Sequence, residues 1–147
     1  MTEIKAVRTA GYSKRTLVEK LGIKPGARVL LIDAPPDYLD TLGELPPRTQ
    51  IVDDLEAQLD FIQYFTKDLN ELELAFPDLK NSLREDGMIW ISWPKGASKV
   101  KTDLNENIIR EIGLKNNLVD VKVCAVDEIW SGLKFVYRVK DRTRKKR

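Results

Sequence analysis

The chain contains no histidine. A Ser-His-Asp triad, a Cys-His pair and a histidine-ligated metal therefore cannot be built. Any acid–base work falls to carboxylates, lysine, tyrosine or cysteine. Cysteine is nearly absent too, because Cys124 stands alone. No internal disulfide can form, which agrees with a reducing compartment. With no histidine to activate it, Cys124 reads as a small buried hydrophobe on a strand. No apolar run approaches the ~20 residues of a membrane span, so no membrane contact is expected. The first residues, Met1-Thr2-Glu3-Ile4-Lys5, lack the apolar core of a secretory signal, and a cytoplasmic location is expected. The dinucleotide fingerprint G-x-G-x-x-G is missing as well.

What is present fits one globular domain. Of 147 residues, 42% are hydrophobic and 33% charged, a balance that argues for a packed core and against disorder. The formal charge of +2 is unevenly spread. The eight residues from Lys140 to Arg147 hold six basic groups and one acidic, a net of +5, which leaves −3 for the rest. The chain divides into a domain over 1–140 and a basic tail over 141–147. Such a tail can touch nucleic acid, and any such contact would run through it only.

Apolar patterning marks the elements. Ser13 is a candidate cap for a first helix through Leu21, stopped by Gly22. Arg28 to Asp33 is a strand with a continuous apolar run, as expected when both sheet faces are covered. Pro36 can open a short helix closed by Gly43. Gln50 to Val52 and Leu59 to Phe65 are strands. Asp68 and Glu71 form a capping box before a helix carrying Leu72, Phe76, Leu79 and Leu83. Pro77 inside that helix is expected to kink or split it. Asp86-Gly87 reads as a turn into the central strand Met88 to Trp93. Asp103 and Glu106 look like a second capping box, with Leu104, Ile108 and Ile112 on the following helix face. Val119 to Val126 and Leu133 to Val139 close the chain as an antiparallel hairpin. Strand–helix alternation implies an open, mostly parallel α/β sheet, helices on both faces, with that hairpin at its end. Val29, Leu31, Ile89, Ile91, Val121 and Val123 are expected to be buried.

The run Leu79 to Ile91 resembles the helix-turn-strand entering the fifth strand of Rossmann-like methyltransferases, and the closing hairpin is similar to their reversed last strand. That resemblance implies the strand order 50–52, 28–33, 59–65, 87–93, 133–139, 119–126. Over nearly its whole length the chain also resembles a family of short bacterial proteins catalogued as a domain of unknown function. The residues that carry this are Gly11 to Ser13, Leu21 to Gly26, Ile91 to Lys95, Val119 to Val126 and Trp130 to Phe135. It implies no activity. The chain departs from the methyltransferase pattern after the first strand. Asp33-Ala34-Pro35-Pro36-Asp37 replaces the glycine-rich loop, and proline supplies no amide donor.

Ligands of open α/β sheets sit at the carboxyl ends of strands. The candidate site residues follow from that rule: Trp93, Lys95 and Ser98 beyond the central strand, Trp130 beside it, and Asp33 ending the first strand. Lys99 and Lys101 add positive charge to the loop. Asp53 falls ~20 residues beyond the first-strand turn, where a ribose-binding acid sits in Rossmann proteins. Tyr38 could extend an aromatic wall, while Asp127 and Glu128, adjacent on a loop, form a poor acid–base pair. No catalytic residue, metal ligand or cofactor is identified. The leading expectation is a non-catalytic domain that binds a small anionic ligand or a protein partner. The alternatives are an atypical adenosyl-methionine-dependent methyltransferase-like enzyme, and nucleic-acid contact through the tail.

Overall fold

The structure, a computed structural model, describes residues 15–143. The expected helix cap Ser13 and the end of the basic tail lie outside the described residues. Among the described residues, six strands form one sheet: β1 (Arg28–Ile32), β2 (Gln50–Val52), β3 (Leu59–Phe65), β4 (Leu83–Pro94), β5 (Leu118–Ala125) and β6 (Trp130–Tyr137). Among the same residues, four α-helices flank it: α1 (Leu17–Leu21), α2 (Tyr38–Leu42), α3 (Leu69–Ser82) and α4 (Glu106–Lys115). The strand order is β2-β1-β3-β4-β6-β5. The first four run parallel, and β6 lies antiparallel between β4 and β5. This is the order implied at the sequence level.

Both faces are covered, which is why β3 and β4 are buried along most of their length. On one face, Leu72, Phe76 and Leu79 of α3 and Ile109 and Ile112 of α4 pack with Ile89, Ile91 and Trp93. On the other, Val18 and Leu21 of α1 and Tyr38 and Leu42 of α2 pack with Phe61, Phe65 and Trp90. The Trp90 indole donates to the Leu21 carbonyl at 2.9 Å, fastening α1 to the central strand. Beneath α2 runs a short polar chain. The Tyr38 hydroxyl donates to Gln63 Oε1 at 2.7 Å, and Gln63 Nε2 donates to Ser92 Oγ at 3.0 Å.

Several local expectations are corrected. Pro77 does not split α3, which is one helix from Leu69 to Ser82. Pro77 is exposed, and Leu72, Phe76 and Leu79 hold both halves of the helix to the sheet. Asp86-Gly87 lies within β4 rather than in a turn. A Cβ on Gly87 would sit 2.8 Å from the Asp60 carbonyl, so glycine there serves close strand approach. Thr16 caps α1, in a reciprocal pair with Glu19. Asn105 caps α4, not Asp103. β6 begins earlier than expected because Asp127 Oδ1 accepts from the amides of Ile129 and Trp130, which tightens the hairpin.

Val121 and Val123 are exposed, at 54% and 45%, against expectation. They lie on β5, the edge strand. Asp120 pairs with Phe135 and Lys122 with Lys134, so Val121 is the extra residue of a bulge. Leu31 is only half-buried. Cys124 is also half-buried rather than core, its thiol donating to the Ala125 carbonyl at 3.3 Å.

Candidate functional site

β1 connects to β2 on one side, while β3 takes the place on the other. The strand order therefore reverses between β1 and β3, and a crevice must open at their carboxyl ends. A cleft of about 950 Å³ lies there. Its walls are the loop after β1 (Asp33 to Pro36), the loop after β3 (Thr66 to Asp68) with Glu71, the segment Lys101 to Asp103, and Trp130.

The first wall turns without glycine. Asp33 and Asp37 adopt φ of 58° and 62°, the left-handed region in which aspartate is tolerated better than most residues. They flank Pro35-Pro36, which present no amide hydrogens to the cleft.

The second and third walls are stitched together. Asp68 Oδ1 accepts from the Glu71 amide at 2.9 Å, capping α3. Asp103 reaches over from the other loop, and its Oδ1 accepts from the Leu69 amide at 2.8 Å. The Thr102 hydroxyl donates to the Lys67 carbonyl at 2.7 Å. The Thr66 hydroxyl donates to Glu71 Oε1 at 3.1 Å, which orients that carboxylate. Two amides at the α3 N-terminus are thus already met by protein carboxylates, so this end is poorly suited to a phosphate.

The floor is aromatic. Phe65 meets Trp130 edge-on at 5.2 Å and Tyr38 at 4.9 Å. Asp127 holds Trp130 in place through its backbone amide. Four carboxylates (Asp33, Asp68, Glu71, Asp103) face two ammonium groups (Lys67, Lys101) around the cleft. The field reaches behind the wall. Burial, then the charges of Glu71 and Asp33, push the Tyr64 phenol up from its ordinary value. Burial likewise keeps the Tyr38 hydroxyl protonated well beyond its usual range.

The candidate residues distribute unevenly. Asp33 and Trp130 line the cleft. Trp93 lies at the same sheet end, since Pro94 pairs with Trp130 and Trp93 with Ser131. Alternation sends the two indoles to opposite faces. Trp93 is 6% exposed and belongs to the α3–α4 core. Lys95 continues the pairing through its amide to the Ile129 carbonyl, and the Ser98 hydroxyl folds back onto the Lys95 carbonyl. Neither lines the cleft. Asp53 lines a separate groove of about 580 Å³ that shares Asp33 with the cleft. Thr66, Lys67, Asp68, Glu71, Thr102 and Asp103 were not singled out as site residues. The signal for them was the switch point between the strands 28–33 and 59–65.

Among the described residues no cluster of metal-ligating side chains is present, and no helix is long and apolar enough to cross a membrane. No family model matches the chain, and no curated protein matches it. Solved structures do. A fibrillarin from Aeropyrum pernix with natively bound S-adenosylmethionine is 13% identical, with a TM-score of 0.55, over 78% of this chain and 68% of that one. A SAM-dependent methyltransferase from Aquifex aeolicus is 15% identical, with a TM-score of 0.53, over 80% and 86%. The magnesium protoporphyrin IX methyltransferase of Synechocystis, with bound SAM, is 12% identical, with a TM-score of 0.53, over 83% and 74%. At such identities the likeness concerns fold alone. The chain has the Rossmann-like α/β fold seen in SAM-dependent methyltransferases, with a six-stranded, mostly parallel sheet that ends in an antiparallel pair.

Proposed function

We propose that the cleft between β1 and β3 binds S-adenosylmethionine and that the chain is a methyltransferase-like enzyme with an atypical first loop. The observation that carries this reading is the acidic cleft at the switch point. The ligand has a cationic sulfonium and an ammonium group, and four carboxylates surround the space. Lys67 and Lys101, on the same lining, would meet its carboxylate. Trp130 offers a planar apolar surface for the adenine. Asp53, beyond β2 on the adjoining groove, fits the ribose hydroxyls. The cofactor, when bound, supplies an electrophilic methyl group. This chain's own residues bind and orient it.

The loop proline residues limit affinity rather than forbid binding. They remove amide donors, so side chains must hold the ligand. A non-catalytic role gains no support from the three neighbours above. The resemblance to the short bacterial family remains compatible with this reading but adds no activity to it.

Calorimetry with S-adenosylmethionine and S-adenosylhomocysteine tests the proposal. The sulfonium form should bind more tightly, because the thioether lacks the positive charge. Asp33→Asn should weaken the sulfonium form at least several-fold and the thioether form less. Absence of saturable binding by either compound, at protein concentrations near 1 mM on the order of weak cofactor affinities, would sink the proposal.

A further inference from the structure

A second cluster lies away from the cleft, on the α1 side of the sheet. Lys122 of β5 and Lys134 of β6 stand directly opposite each other. Like charges so placed destabilise a strand pair. Lys122 Nζ donates to the Lys20 carbonyl at the end of α1, at 3.0 Å. That bond uses one of its three donors. Lys134 Nζ comes within 3.9 Å of where a Cβ on Gly22 would lie. Both amines therefore gather at the turn from Leu21 to Gly26, which carries Lys24.

Lys134 is half-buried, and among the described residues neither it nor Lys24 has a carboxylate partner. Its ammonium is pushed down from its ordinary value by burial and then by Lys122 and Lys24. The turn also lines a cavity of about 340 Å³. The carboxylates on that cavity, Asp60 and Asp86, sit against Arg84 at 3.3 and 3.0 Å. Neither is among the charges that act on the Lys134 ammonium, which are those of Lys122 and Lys24.

Natural sheets avoid facing like charges unless something offsets them. Capping the α1 carbonyls accounts for Lys122 but leaves Lys134 and Lys24 unexplained. A doubly charged oxyanion would relieve all three groups at once, and the free donors of Lys122 and Lys134 would point at it. We propose that Lys24, Lys122 and Lys134 bind a phosphate-type oxyanion, free or carried by a nucleotide, at the α1 side of the β5–β6 hairpin. The site is independent of the cofactor cleft, which lies at the carboxyl ends of β1 and β3.

The test is calorimetry of the full chain at low salt with two probes, inorganic pyrophosphate and adenosine 5′-diphosphate. Saturable binding of either is expected. Lys134→Met, which keeps the aliphatic stem, should weaken it at least tenfold while the melting temperature holds or rises. Lys134→Arg should retain most of the affinity. In a carbon-detected lysine titration, pyrophosphate should move the Lys134 titration to higher pH. Binding of pyrophosphate alone identifies a free phosphate ligand, and tighter binding of the diphosphate identifies a nucleotide. No saturable binding of either probe overturns the proposal. So does binding that Lys134→Met leaves unchanged, and so does a drop in melting temperature that accounts for the loss.

Discussion

Gln63 and Ser92 are polar side chains with no exposure, on strands otherwise packed with hydrophobes. They survive burial because Tyr38 completes their hydrogen bonds. Tyr38→Phe leaves Gln63 Oε1 without that donor. The expected cost is about 1–3 kcal/mol, read from urea unfolding at neutral pH. The same residue carries a pH signature. Its pKa is raised in the folded state, so its contribution is complete below the unfolded value near ~10 and is lost as pH rises further. Tyr64 and Tyr137 are shifted in the same direction, chiefly by burial. Stability should therefore fall steeply in alkali, and the fall should be shallower in Tyr38→Phe. A wild-type profile that stays flat from neutral pH to 11, about a unit past free tyrosine, contradicts the buried-phenol account. Gly113 illustrates what sequence could not reveal at this scale. It sits inside α4, where glycine costs ~1 kcal/mol relative to alanine. Its reason is the ring of Phe135, which would lie 2.0 Å from an added Cβ. Gly113→Ala should destabilise by about 1–3 kcal/mol despite the better helix propensity, and Phe135→Leu in the same chain should recover part of the loss in thermal unfolding.

At the scale of elements, the cap signals were read from spacing alone, and one of them belonged to another helix. Asp103 stands three residues before Glu106, the spacing of a capping box. In space it caps α3, and Asn105 caps α4 through its side chain to the Ile108 amide. A long-range cap cannot be told from a local one without knowing which loops meet. The consequence is functional, because Asp103 ties the loop after β4 to the loop after β3 and so closes one side of the cleft. Its two roles, cap and charge, can be separated. Asp103→Asn keeps an acceptor for the Leu69 amide and should change the melting temperature little. Asp103→Ala should cost about 1 kcal/mol, as cap removal does elsewhere. Both should weaken S-adenosylmethionine binding, since both remove a carboxylate. Equal stability of the alanine and asparagine variants would show that the cap contributes nothing. The misjudged burial of Val121 and Val123 has a similar origin. A β-rich apolar run looks alike at the centre and at the edge of a sheet, and a one-residue bulge is invisible in the pattern.

For the whole molecule, the open, mostly parallel sheet was legible because helices alternate with strands, whereas the strand order was implied only by the resemblance to Rossmann-like methyltransferases. Only a small part of the cleft followed, Asp33 and Trp130 among its lining residues. Trp93, Lys95 and Ser98 were drawn in by the same rule applied to the central strand, although the order reverses one strand pair away. Charge is also partitioned at this scale. The run of net +5 from Lys140 to Arg147 stands against −3 elsewhere. The structure moves the start of any detachable tail. Thr143 donates to both Glu85 carboxylate oxygens, at 2.7 and 2.9 Å, and the Arg142 guanidinium donates to the Tyr137 carbonyl at 2.8 Å. Deleting 141–147 should therefore cost measurable stability, whereas deleting only 144–147 removes four basic groups and none of these bonds. Four fewer phosphate contacts lower the salt slope for single-stranded nucleic acid by about 3, at ~0.7 per contact. If the tail is the main nucleic-acid contact, the shorter deletion should flatten the salt dependence of RNA binding by that amount and leave the melting temperature unchanged. RNA affinity and slope that survive the deletion would place the contact on the folded domain instead.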